Sequence, residues 1–166
     1  LVCNKDVCEK KKFPFGSYVE VSEENTYTIG SFRVTPFLVA HDVLCHAFLI
    51  MHLNAGITMF VTDTYKVPTC ITGIDHYLIE ANYCDEILKQ NVWNGKITKS
   101  QADRIMLSHM SLQYTIKYLQ DCKADETAKT ITLCHLSERN ADPEQFRNAI
   151  AGAFGLPCYC AEKGLE

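Results

Sequence analysis

Residues 47–64 read Ala47-Phe-Leu-Ile-Met-His-Leu-Asn-Ala-Gly-Ile-Thr-Met-Phe-Val-Thr-Asp-Thr64, and this stretch decides the fold. Two apolar runs, Ala47–His52 and Ile57–Thr62, flank Asn54-Ala-Gly56, a composition that signals a hairpin between strands. Both runs are almost continuously apolar, as strands covered on both faces are. The second run then stops at Asp63-Thr64. A carboxylate at the tip of a buried strand is the kind of place where chemistry is built, because the scaffold holds it while its end stays open.

The same design recurs along the chain. Phe37-Leu-Val-Ala40 ends at His41-Asp42, Arg104-Ile-Met-Leu-Ser108 at His109-Met-Ser111, and Ile131-Thr-Leu-Cys134 at His135-Leu-Ser137. Three histidines and one aspartate at such tips are the nitrogen and oxygen donors that zinc and similar metals take. His46, His52 and His76 lack that setting and are read as ordinary hydrogen-bonded side chains. Asp42 is a poor partner for His41, since adjacent side chains on an extended chain point apart.

Strands are expected at Ser17–Val21, Tyr27–Ile29, Phe32–Phe37, Tyr77–Glu80, Thr130–Cys134 and Cys158–Cys160, with a turn at Gly30-Ser31. Pro36 marks its strand as an edge or an interrupted one. Helices are expected over Asp85–Gln90 and Ser100–Leu107. Another is capped by Ser111, with the stripe Leu112, Ile116 and Leu119. A last one starts at Asp142-Pro143-Glu144 and ends at Gly152 or Gly155. The first sixteen residues, with the basic run Lys10–Lys12 and a turn at Phe13–Gly16, read as the least structured part. The class is α/β, a mixed β-sheet with flanking helices, in a single domain over 1–166.

Composition narrows the function. Of the residues, 47% are apolar and 22% charged, a globular balance. The net charge of -4 argues against nucleic-acid or membrane binding by bulk charge, yet leaves room for a phosphate-bearing substrate held locally. No run approaches the ~18 apolar residues of a membrane span. The nine cysteines are odd in number, scattered and without a Cys-x-x-Cys pair, so they read as free thiols in a reducing cytoplasm and not as a zinc ribbon.

Taken in order, Thr35-Pro-Phe-x-Val-x-His41-Asp42, Phe60-Val-Thr-Asp63-Thr64, Ile79-Glu-Ala-Asn82-Tyr83, Ser108-His109-Met-Ser-Leu112 and His135-Leu-Ser-x-x-Asn140 resemble the C-terminal two-thirds of metallo-β-lactamase-fold hydrolases. The nearest branch is the small bacterial and prophage one, related to ribonuclease Z-like phosphodiesterases. The resemblance runs from Phe32 to Gly164 and implies the C-terminal part of an αββα sandwich. It implies metal-ligating roles for His41, Asp63 and His135, with Asp63 bridging two divalent ions, zinc or manganese. It implies that His109 contacts the scissile phosphate and assists the leaving group. Glu80 and Asn82 match a segment that supports the centre.

One departure is large. The family's His-x-His-x-Asp-His signature is absent, and no histidine precedes His41. The expectation is therefore an N-terminally incomplete domain that is inactive by itself, its substrate a phosphodiester or other small molecule, nucleic acid included. Its apolar strands would need a second copy or the missing N-terminal part to cover them. The competing readings are a degenerate, non-catalytic binding or assembly module and an ordinary α/β domain.

Overall fold

The computed structural model describes residues 1–14, 16–23 and 25–161. Its main element is a seven-stranded mixed sheet in the sequential order β3 (Tyr27–Ile29), β4 (Phe32–Val39), β5 (Cys45–His52), β6 (Gly56–Val61), β7 (His76–Glu80), β8 (Thr130–Cys134) and β9 (Cys158–Cys160). From β3 to β6 the strands form an antiparallel meander, and from β6 to β9 they are parallel. The remaining strands, β1 (Val2–Cys3) and β2 (Val19–Glu20), pair in a separate two-stranded sheet.

The helices follow the sequence logic closely. Between β7 and β8 lie α2 (Asp85–Trp93), α3 (Lys99–Ser108), α4 (Leu112–Asp121) and the short α5 (Ala124–Thr127). Thr98 and Gln101 form a capping box on α3, and Ser111 accepts from the Tyr114 N–H to start α4. Asp142 caps α6 (Pro143–Phe154), and Gly155, at φ 65°, ends it in the left-handed region.

The core is set by register. Paired residues of neighbouring strands share a face, so Met59, Tyr77 and Ile131 form one row and Val61, Ile79 and Leu133 the next. All six are fully buried, and they cluster with Leu112 and Leu119 of α4 and Phe146 and Ile150 of α6. Tyr77 carries an unpaired polar atom into this core. Burial pushes its phenol up to about 12, and its hydroxyl has no hydrogen-bond partner among the described residues. Tyr77→Phe is accordingly expected to stabilise the fold by about 1 kcal/mol, since it removes an unpaired polar atom and little volume. Thermal unfolding of the two chains checks this, and a lower midpoint for the variant contradicts it.

Several expectations need correction. The first sixteen residues are not the least structured: Asn4 accepts from the Val7 N–H and starts α1 (Lys5–Lys11), which contains most of the basic run. Of the turn expected at Phe13–Gly16, Phe15 lies outside the described residues. Pro36 sits inside the long strand β4, paired with Phe48 of β5. Its missing N–H is tolerated because β3 pairs with β4 only as far as Val34, leaving that side locally an edge.

The β5–β6 hairpin is not sealed equally on both faces. Ala47, Met59 and Val61 are fully buried, whereas Phe48, Ile50 and Phe60 on the other face are half-buried. On that second face the N-terminal segment reaches His46, whose Nε2 lies 3.3 Å from a Glu23 carboxylate oxygen. Asn4 also donates to the Leu44 carbonyl at 3.1 Å. The cysteines are not all free thiols either. Cys70 and Cys122, 52 residues apart, form a disulfide between the segment after β6 and the end of α4, a pairing that scattered spacing does not reveal. Among the described residues no helix is long and apolar enough to cross a membrane.

Candidate metal centre

Strands β6, β7 and β8 are adjacent and parallel, so Asp63, Glu80 and His135 emerge at the same edge of the sheet. Because β4 and β6 are both antiparallel to β5, β4 runs in their direction and delivers His41 to that edge as well. The carboxyl ends of parallel strands are where layered α/β folds build their sites. Two bonds tie the tips of β4 and β6 together: the Tyr65 N–H donates to the Ala40 carbonyl and the Ala40 N–H to the Lys66 carbonyl, each at 3.2 Å. The Thr64 hydroxyl adds a bond to the same Ala40 carbonyl at 2.7 Å.

Asp63 and His135 both have φ of 57°, the left-handed region that side chains with a Cβ seldom adopt. Such conformations persist where the surroundings enforce them, and they gather at functional sites. Here each turns the chain sharply off its strand. His135 Nε2 comes within 3.6 Å of Asp63 Oδ1.

Glu80 organises the centre. It is completely buried, and its Oε1 accepts from His109 Nδ1 at 2.6 Å and from His135 Nδ1 at 2.8 Å. Its Oε2 accepts from the Thr64 N–H at 3.0 Å. An ionised carboxylate only accepts, so both imidazoles carry hydrogen on Nδ1 toward Glu80. Their Nε2 atoms are the ones left for a ligand, the arrangement in which a carboxylate fixes the tautomer and direction of metal-binding histidines. The hydrogen bond that His109 donates to Glu80 also holds the His109 pKa above its ordinary value, against the opposing effect of burial.

Asn82 stitches two loops to the end of β7. Its N–H donates to the Met110 carbonyl, its side-chain amide to the His135 carbonyl at 2.7 Å, and its own carbonyl accepts from the Ser137 N–H. The backbones that carry His109 and His135 are therefore held by one residue.

Asp63, His109 and His135 offer three ligand atoms within 4.8 Å of one another, the one such group of three or more among the described residues. His41 lies beside it: its ring centroid is 6.3 Å from that of His109, and it lines the same cleft. Contrary to expectation, Asp42 does reach His41, with Oδ1 3.3 Å from Nε2, because the chain bends after β4 instead of continuing extended. His41 Nδ1 is buried and has no protein partner among the described residues. An orphaned ring nitrogen beside two oriented imidazoles and a carboxylate fits a divalent metal that takes mixed N/O donors.

Sequence reasoning missed three supports: the double grip of Glu80, the Thr64 N–H, and Thr115, whose hydroxyl donates to the Glu80 carbonyl at 2.7 Å. A glutamate closing the apolar strand Tyr77-Leu-Ile-Glu80 was the available signal, since a carboxylate is rarely buried without partners.

No protein-family model matches the sequence, and no curated protein matches it significantly. Solved structures do match in shape. The metallo-β-lactamase fold protein YhfI from Bacillus subtilis superposes with a TM-score of 0.72 at 15% identity, over 97% of this chain and 61% of that one. The short form of human tRNase Z gives 0.56 at 15% identity, over 99% and 65%. CmlA, a diiron β-hydroxylase from Streptomyces venezuelae, gives 0.55 at 14% identity, over 89% and 34%. The chain has a metallo-β-lactamase fold. It spans under two-thirds of the length of each of these neighbours, and at these identities the likeness is one of fold.

Proposed function

We propose that this chain carries one side of the active centre of a metal-dependent phosphodiesterase, with Asp63, His135 and His41 as metal ligands and His109 facing the substrate. The observation that carries the reading is the paired hydrogen bond from His109 and His135 to the buried Glu80, which aims two Nε2 atoms at the space beside Asp63. A zinc or manganese ion bound there would polarise a phosphoryl oxygen and lower the pKa of a bound water. A neighbour named as a diiron enzyme supports metal chemistry on this fold, and one named tRNase Z supports nucleic acid among the substrate classes.

The protein's own residues do the positioning. Glu80 keeps both rings from rotating, so no reorganisation is needed when a substrate arrives. With Nδ1–H committed to Glu80, His109 presents Nε2 to the cleft, and in its doubly protonated form, which Glu80 favours, it can hand the Nε2 proton to a departing alkoxide and become neutral. Asp63 supplies the anionic oxygen that a bridging or terminal metal position requires.

Three or four ligands suit one open metal site, not two complete ones. The chain is therefore expected to bind a single ion and to turn over slowly. The same observation favours a second reading, a non-catalytic member of the fold that keeps a vestigial half-site.

Hydrolysis of bis(p-nitrophenyl) phosphate, with metal content measured on the same samples, separates the two. Slow, metal-dependent hydrolysis is expected in the wild type, falling by roughly 10²–10⁴-fold in His109→Ala while bound metal is retained. No hydrolysis at any metal loading supports the vestigial reading. Loss of metal in His109→Ala would make His109 a ligand.

A further inference from the structure

Helix α3 runs directly into His109, and its residues Arg104 and Ser108, four apart, lie on one face. Both line a cleft of about 430 Å³ together with His41, Asp42, Asp63 and His109. Among the described residues, Arg104 is the only lysine or arginine on that cleft. Its guanidinium has no ion pair or hydrogen bond among the described residues, although the Asp42 carboxylate borders the same space and Asp103 is its neighbour in sequence.

We propose that Arg104 is the residue that binds the phosphoryl group of the substrate, with the Ser108 hydroxyl as a second donor. The charge balance of the cleft argues for it. Asp42 and Asp63 both repel an incoming anion, and among the described residues that line the cleft Arg104 carries the one permanent positive charge that opposes them, to which a metal held at Asp63 would add. A guanidinium presents a planar fork of N–H donors that matches two oxygens of one phosphoryl group, which a lysine cannot do. Lining the same cleft five residues before His109, Arg104 would hold the group whose ester oxygen His109 faces. The assignment rests on the phosphodiesterase reading for its substrate class, but it makes a separate claim about binding.

Titration of the zinc-loaded full chain with inorganic phosphate, and in a second arm with dimethyl phosphate, tests it by calorimetry or ³¹P NMR. Arg104→Ala is expected to weaken binding roughly ten- to hundredfold, the loss of a charge-assisted pair. Arg104→Lys should recover part of that loss, and bound zinc should be unchanged in both variants. Weakening confined to dimethyl phosphate identifies a diester subsite, and weakening confined to inorganic phosphate a site for a terminal phosphate group. Equal affinities in wild type and Arg104→Ala, or no binding of either probe to the wild type, overturn the proposal. If the wild type takes up no zinc but still binds phosphate through Arg104, the metal reading fails and the subsite stands.

Discussion

Glu80→Ala is expected to cost roughly 3–5 kcal/mol of stability and to loosen both histidines at once. The substitution deprives His109 Nδ1, His135 Nδ1 and the Thr64 N–H of their acceptor in a fully buried position. Each buried donor left unpaired costs about 1–3 kcal/mol, and the two imidazoles recover part of this by turning toward water. The vacated volume adds a cavity. Metal affinity should fall about 10–100-fold even though Glu80 touches no metal, as losses of outer-shell partners do. Glu80→Gln keeps the volume, but its amide offers a single acceptor oxygen to donors on both sides, so it should rescue stability more than affinity. Denaturant unfolding and zinc titration on the three chains check this. An alanine variant as stable as the wild type would mean that Glu80 does not hold the centre.

Asp63→Asn should do the reverse, removing function while leaving the fold intact. Asparagine tolerates the left-handed backbone at this position about as well as aspartate, so the turn off β6 survives. What disappears is the only carboxylate among Asp63, His109 and His135, the three side chains that converge there. The loss of metal affinity should exceed the 10–100-fold typical of an outer-shell partner, with the thermal midpoint little changed. Metal content after dialysis and a melting curve on the same sample give both readouts. Retained metal in Asp63→Asn would place the ion elsewhere.

Much of this was legible in the sequence, because the signals were local. Apolar runs cut off at Asp63, His109 and His135 marked strand and helix ends, and Asp142-Pro143 marked a helix start. These depend on periodicity and capping, which neighbouring residues determine. What stayed hidden depends on tertiary geometry. That Glu80 bridges two histidines 29 and 55 residues away follows from the β6–β7–β8 register and from α3 ending over it, which no spacing encodes. The contact between Asp42 and His41 has no local signature, because the sequence reads as extended where the chain bends. The helix at Lys5–Lys11 was missed because its cap, Asn4, precedes a charged run without an apolar stripe.

The most direct measurement is a zinc titration of the wild-type chain followed by ¹⁵N NMR of its histidine rings. The account predicts saturation near one equivalent, with the Nε2 signal of His135 moving and its Nδ1–H to Glu80 retained throughout. His52, on the β5–β6 hairpin away from the centre, should stay where it is. A titration in which His135 does not move, or in which Asp63→Asn gives the same response as the wild type, would contradict a metal centre at the ends of β6, β7 and β8.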